Sequence, residues 1–340
     1  MPGRDRRTLR SDRGGEGSYP RPLILVSRCL GFDRCRYDGA AIPAPFLERL
    51  SRFADCVTAC PEMEIGLGVP RQPIRLVTAG GDEVRLVQPS SGLDLTERME
   101  AFCRERAGNL GAVDGVVLKA RSPSCGVSDT AIHAGADSSA ILRRGPGLFG
   151  RAVLEAMEGR PVIDEGGLID PGLRERFLVQ VFTLARLRSA EDACRASGSA
   201  SPLVSFHSSA GLLLAAADRE AGRMLGGIVD EGGSPDALLP RYRRGLVRAL
   251  AGPLRTGPCA DSLTHAFVCF KERLAADEKA LFLDSLEEFG SGRASMGPCR
   301  ALIQSWMVRF PTPYLDDQIF LNPFPRALEG FEDSAGDGGR

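Results

Sequence analysis

The chain contains ten cysteines, but no two of them are separated by just two residues. The absence of such a pair argues against a zinc ribbon, a thioredoxin-type redox site and a bacterial ferredoxin motif. The chain also has only three histidines, so we do not expect a histidine-based metal site.

The sequence also lacks a run of about 18 apolar residues, and its basic N-terminal region has no apolar core like that of a signal peptide. We therefore expect a cytoplasmic protein without a membrane partner, whose cysteines are free or metal-bound rather than paired in disulfides. The 43 basic and 44 acidic residues give a net charge of −1, which offers no electrostatic argument for a nucleic-acid partner. A small-molecule ligand fits this composition better.

Composition and periodicity divide the chain into five segments. Residues 1–20 are rich in arginine and glycine and predict a disordered tail, and residues 329–340 predict a frayed terminus. Residues 21–168 alternate β-rich and helical runs, which is typical of an α/β domain whose mostly parallel sheet is covered by helices. Residues 169–202 predict a connecting helix and a Ser- and Ala-rich linker. Helical periodicity continues through residues 203–328, which predict an all-α second domain.

Three cysteines follow apolar runs that predict β-strands. Cys29 ends LILVSRC, Cys60 ends FADCVTAC, and Cys125 lies in the loop after GVVLKA. Because the carboxyl ends of parallel strands face one crevice, the three thiols are expected to converge on one site. Three thiolates on one centre would leave a coordination position open for a substrate. The alternative is that each cysteine is a small buried apolar residue. Cys35, in the first loop, is a further candidate, as a substitute ligand or as a reactive thiol.

Polar residues flank these cysteines. Glu62 lies two positions after Cys60, and Glu64 is a rival carboxylate for the same task. Ser122 and Ser124 precede Cys125 and would bring hydroxyl and backbone N–H groups to the same rim. Arg71 and Lys119, which lie between Glu62 and Ser122 along the chain, are candidate partners for an anionic or carbonyl group. Each of them could equally be solvated.

Three segments together resemble the thiouracil desulfidase (TudS-like) family: VSRCLGFDRCRYDG, CPEMEIGLGVPRQP and LKARSPSCG. The likeness covers roughly residues 22 to 168. It implies that Cys29, Cys60 and Cys125 hold a 4Fe-4S cluster with one open iron, and that Glu62 and Ser122 assist catalysis. Residues 203–328 resemble an uncharacterised YbgA-type helical domain, on the strength of SFHSSAGLLLAA and PYLDDQIFLNPFP.

The resemblance implies an iron–sulfur-dependent, non-redox desulfidase that removes sulfur from a thiolated nucleobase or a similar thioamide. Two other hypotheses stay open from the residues alone. The first is a cluster- or zinc-binding regulatory sensor whose helical domain is the output. The second is a zinc hydrolase in which the same three thiolates bind a metal that carries water. The helical domain could support homo-oligomers or bind a protein partner in either case.

Overall fold

The computed structural model describes residues 19–80, 83–108 and 110–330. The predicted N-terminal tail lies outside these residues except for its last two positions, and the predicted frayed terminus except for its first two. None of the helices that the structure describes is both long and apolar enough to span a bilayer.

The strands of the described chain form two sheets. In chain order they are β1 (Leu23–Ser27), β2 (Asp55–Ala59), β3 (Arg75–Gly80), β4 (Glu83–Gln88), β5 (Leu93–Asp94), β6 (Gly115–Leu118), β7 (Thr130–His133), β8 (Ile141–Gly145) and β9 (Val162–Asp164). The first sheet has the order β2-β1-β6-β9 and is parallel throughout. The second has the order β5-β4-β3-β7-β8 and is mixed.

The parallel sheet forms where the sequence predicted strands, because its segments are rich in branched apolar residues that suit a strand buried on both faces. Ile24 and Val26 of β1 and Val117 of β6 are fully buried. Val26 pairs in register with Val117 on one side and with Thr58 on the other. All of these strands therefore end at the same edge of the sheet.

The second sheet is built around a hairpin, in which β4, with the sequence EVRLVQ, pairs antiparallel with β3. Strand β5 adds to the β4 side of the hairpin, and β7 and β8 extend its β3 side, which makes five strands. Most of β8 is exposed, and its sequence ILRRG has no alternating apolar pattern, so periodicity gave no signal for it.

The helices in chain order are α1 (Pro45–Leu50), α2 (Pro61–Glu64), α3 (Thr96–Ala107), α4 (Leu148–Met157), α5 (Glu165–Ile169), α6 (Pro171–Ser197), α7 (Ser201–Ser209), α8 (Gly211–Ala217), α9 (Arg219–Asp230), α10 (Pro235–Leu250), α11 (Thr256–Val268), α12 (Ala276–Gly290), α13 (Gly297–Arg309) and α14 (Pro313–Asp316). Short 3-10 turns occupy Leu110–Ala112, Lys271–Arg273 and Arg326–Leu328. The predicted fold class, an α/β part followed by an all-α part, is confirmed.

Helix α6 joins the two parts. It packs against the parallel sheet so closely that a Cβ added at Gly115 of β6 would lie 2.5 Å from Val181 of α6. Its other side packs on α7 and α10, and one hydrophobic core runs from Ile24 through Phe182 to Tyr242. The predicted linker is mostly helical, because only residues 198–200 separate α6 from α7. The domain limits themselves stay a prediction.

Candidate functional site

A cavity of about 290 Å³ lies at the carboxyl edge of the parallel sheet. Its walls come from the loops that follow β1, β2 and β6, which are neighbours in the sheet. Cys29, Cys60 and Cys125 all line this cavity. The structure therefore brings together the three thiols that the sequence placed after separate strands.

The backbone around each thiol is held by hydrogen bonds. The carbonyl of Cys29 accepts the N–H of Ile42 at 2.8 Å. Cys60 is the residue before the first turn of α2, where Pro61 supplies the fixed φ that favours a helix start. The Oγ atom of Ser122 accepts the N–H groups of Ser124, at 3.2 Å, and of Cys125, at 3.0 Å. The last pair of bonds fixes the tight turn that carries Cys125.

The first residues of α4 pack against that turn and form hydrogen bonds with it. Their N–H groups donate to the turn's carbonyls, from Leu148 to Pro123 at 3.1 Å and from Gly150 to Ser124 at 2.9 Å. The two segments touch at Gly150, where an added Cβ would lie 2.0 Å from the carbonyl oxygen of Gly126. Glycine is required there because the opposing atom belongs to the backbone and has no rotamer in which to escape.

Replacing Gly150 with alanine is expected to push α4 away from the turn and to lower the free energy of unfolding by about 1–3 kcal/mol, as overpacking does in a dense core. Chemical denaturation measures this change. Gly227, where an added Cβ meets no atom within 4 Å, gives the matched control. Because Gly227 lies inside a helix, its alanine variant is expected to be no less stable than the parent. Equal stability of the Gly150 variant and the parent would contradict the close approach.

The thiols are buried, and burial favours their neutral form. Burial together with the neighbouring Cys60 raises the pKa of Cys29 to about 11, and burial raises the pKa of Cys125 above its ordinary range. A coordinated thiol is deprotonated outright, so a bound metal centre would reverse these shifts. Thiolates are the soft ligands that iron–sulfur clusters and zinc prefer.

Among the described residues, no three His, Cys, Asp or Glu side chains are placed to share one metal ion. The three thiols line a single cavity without meeting at one point. A four-iron cluster binds each thiolate at a different iron atom, so its ligands surround a volume rather than a point. The donor type and the shared cavity therefore fit such a cluster.

Glu62 lines the same cavity, and its carboxylate is tightly held. Its Oε2 accepts two bonds from Arg71, at 2.9 Å from Nε and 2.5 Å from Nη2. Its Oε1 accepts the hydroxyl of Ser124 at 3.1 Å. The side chains of Glu62 and Arg71 are only 14% and 5% exposed, which makes this a largely desolvated ion pair.

Glu64, the rival carboxylate, lies outside the residues that line the cavity. It accepts hydrogen bonds from Arg28 at 3.2 Å and from Arg106 at 2.8 Å. Its Oε1 also accepts the N–H of Cys60 at 3.1 Å. Glu64 therefore braces the first turn of α2 from outside, whereas Glu62 faces the thiols.

Sequence reasoning missed Glu165, the first residue of α5. Its carboxylate accepts the side chain of Lys119 and the N–H of Ala120, the latter at 2.6 Å. Lys119 lines the cavity, whereas Glu165, which pairs with its charge, is not among the lining residues. Because Glu165 directly follows β9, the rule that strand ends face one crevice could have found it.

Cys35 is the fourth thiol of the cavity and is 2% exposed. Burial and the neighbouring Cys60 raise its pKa to about 12. Its carbonyl oxygen accepts Nη1 of Arg71 at 3.0 Å and lies 3.9 Å from the Sγ atom of Cys60. The first loop, which the sequence left as a possible source of a ligand, thus brings a thiol to the site.

Comparison with known proteins gives matches for both parts of the chain. A family model described as 2-thiouracil desulfurase matches residues 24–165, and a protein family of unknown function, DUF1722, matches residues 212–325. The uncharacterized protein YbbK of Bacillus subtilis (strain 168) is 36% identical over 111 residues, which are 31% of this chain and 73% of the relative. A solved structure described as a [4Fe-4S]-dependent thiouracil desulfidase is 30% identical and covers 44% of this chain and 93% of its own, with a TM-score of 0.36.

Proposed function

We propose, since the chain belongs to the 2-thiouracil desulfurase family, that it is an iron–sulfur-dependent desulfidase that hydrolyses the C–S bond of a thiolated nucleobase or a similar thioamide. The observation that carries this proposal is the single cavity lined by Cys29, Cys60, Cys125, Glu62 and Ser122. A soft donor set, a carboxylate and a hydroxyl share one small volume there. Each of these groups has a role in the proposed reaction.

Cys29, Cys60 and Cys125 would hold a 4Fe-4S cluster. When bound, such a cluster with one iron free of protein ligands supplies a Lewis acid that attracts the soft sulfur of a thiocarbonyl group. The overall reaction converts C=S and water into C=O and hydrogen sulfide. It moves protons but no net electrons, so no redox partner is required.

In the proposed reaction, Glu62 positions and deprotonates the attacking water. A carboxylate oxygen has two acceptor positions, and among the described residues Oε1 accepts one bond, from Ser124. The second position on Oε1 is therefore available to water or to a ring N–H of the substrate. Arg71 occupies Oε2 with two hydrogen bonds, which fixes the orientation of the carboxylate.

Ser122 serves as a donor. Its Oγ accepts two backbone N–H groups, from Ser124 and Cys125, so both of its lone pairs are engaged. The hydroxyl hydrogen can then point into the cavity, which Ser122 lines. There it would donate to an acceptor atom of the substrate ring and hold the ring in place.

The test is release of sulfide from 2-thiouracil by the anaerobically reconstituted chain. Replacing Glu62 with glutamine is expected to lower kcat by about 100-fold while the iron content stays unchanged, because loss of a general base removes at least that factor. Glu64→Gln is the matched control, since Glu64 follows Glu62 by two residues yet lies outside the cavity. It is expected to keep kcat within about threefold.

Two outcomes would contradict the proposal. If the parent protein binds the cluster yet releases no sulfide, it is not a desulfidase for 2-thiouracil. If the Glu62→Gln variant keeps full turnover, Glu62 has no role in the reaction, although the desulfidase activity itself is then supported. Oligomer formation or partner binding through the helical part stays a prediction.

A further inference from the structure

The RCRYDG loop contains an aromatic side chain that the proposed mechanism does not use. Tyr37 lines the cavity beside the thiols, and it is 44% exposed. Large aromatic side chains usually bury most of their area, and tyrosine combines a flat apolar ring with a polar tip. A half-exposed ring in the wall of a small cavity can cover a flat ligand that binds there.

The loop holds Tyr37 in one position. The backbone turns at Gly39, which has a φ of +73°, and the carboxylate of Asp38 accepts the N–H of Ala40 at 3.0 Å. The carbonyl of Tyr37 accepts the N–H of Arg71 at 2.9 Å. The same Arg71 holds Glu62 with its side chain. Arg71 thus holds both the backbone of Tyr37 and the carboxylate of Glu62.

A charged neighbour orients the ring. The guanidinium of Arg36 lies over the face of Tyr37 at 5.5 Å from the centroid, which is within the range of a cation–π contact. Asp38 holds that guanidinium through two bonds, at 3.2 Å from Nε and 3.1 Å from Nη2. A ring that keeps a preferred orientation before binding loses less freedom when a ligand binds, which favours binding.

From this arrangement we infer that Tyr37 is a specificity-determining residue that stacks on the ring of the substrate. The ligand class that it selects is a planar heteroaromatic thiocarbonyl compound, in preference to an aliphatic thioamide. The inference rests on the proposed function for the identity of the reacting group. It goes beyond that function because it assigns ring recognition to a residue that takes no part in the chemistry.

The test compares Tyr37→Leu with Tyr37→Phe in the cluster-loaded protein. Binding of uracil, which has the ring but no sulfur to lose, is measured by equilibrium dialysis. An aromatic pair contributes enough that Tyr37→Leu is expected to weaken uracil binding by about fivefold and to raise KM for 2-thiouracil similarly. Its kcat and iron content are expected to stay within about twofold of the parent values.

Tyr37→Phe keeps the ring and is expected to match the parent in both measurements. The inference is overturned if the leucine variant binds uracil as tightly as the parent, or if phenylalanine weakens binding as much as leucine does. Failure of the proposed function has a different signature: the parent releases no sulfide, while the uracil measurement still tests the stacking role. A parent that does not bind uracil at all overturns the stacking role as well.

Discussion

Replacing Cys29, Cys60 or Cys125 with alanine is expected to leave the anaerobically reconstituted protein colourless and without release of sulfide from 2-thiouracil. Each substitution removes one of the three thiols that line the cavity at the ends of β1, β2 and β6. A cluster held by only two thiolates would have one fewer iron atom bound to the protein. Iron and acid-labile sulfide per chain, together with the broad visible absorption, measure the loss directly and do not depend on turnover.

Two other cysteines make this series interpretable. Cys56 lies on β2, four residues before Cys60, and is half-buried, but it is not among the residues that line the cavity. Its alanine variant is expected to keep the full iron content and to lose at most about 1.5 kcal/mol of stability, as for the loss of a small buried group. Cys35 does line the cavity, and under three-thiol ligation its alanine variant also keeps the iron.

Each deviation from this pattern has a defined meaning. If any one of the three predicted ligand variants keeps both iron and colour, that thiol is not a ligand. If Cys35→Ala loses iron as completely as the others, the cluster has four protein ligands and no open iron. The proposed Lewis-acid role would then be lost, although the cavity and its thiols would stay as described.

The position of the thiols could be anticipated because a single rule of parallel sheets places strand ends together. The runs before Cys29, Cys60 and Cys125 are apolar and branched enough to predict strands, and the structure has β1, β2 and β6 there. The cysteines lie beyond the last strand residues, Ser27, Ala59 and Leu118, in the loops that form the cavity. The apolar runs and the strand-end rule thus predicted, without any knowledge of the loop paths, that the three thiols share one cavity.

The partners of the polar residues could not be anticipated in the same way. The pairing of Glu62 with Arg71 depends on how a loop rich in glycine and proline returns to the cavity, and no periodic pattern encodes that path. For the same reason the sequence could not choose between Glu62 and Glu64, which are two residues apart but face different surroundings. The strands β7 and β8 were missed because they are short and, in β8, mostly exposed.

Replacing Arg71 with methionine is expected to lower the free energy of unfolding by about 3 kcal/mol or more, because it leaves a desolvated carboxylate without its partner. The side chain of Arg71 also donates Nη1 to the carbonyls of Cys35, at 3.0 Å, and Gly68, at 2.8 Å. One guanidinium therefore joins the loop after β1, the helix α2 that carries Glu62 and the loop that follows it. We expect kcat to fall at least as far as in Glu62→Gln, since the carboxylate loses its orientation.

Arg21 provides a control with a similar set of partners in a solvated place. It pairs with Asp55 at 2.8 Å and donates to the carbonyls of Arg52 and Ala54, but its side chain is 46% exposed. Because solvent screens such a pair, Arg21→Met is expected to cost no more than about 1 kcal/mol. Chemical denaturation of both variants measures the difference.

A double variant separates two causes of the instability of Arg71→Met: the unpaired buried charge of Glu62 and the lost contacts of the arginine side chain. Combining Arg71→Met with Glu62→Gln removes the unpaired carboxylate, so the double variant is expected to be more stable than Arg71→Met alone. Equal destabilisation by Arg71→Met and Arg21→Met would contradict the desolvated ion pair. A double variant that is less stable than Arg71→Met by the full effect of Glu62→Gln would show that the two side chains act independently, and Arg71 would then have no role in orienting Glu62.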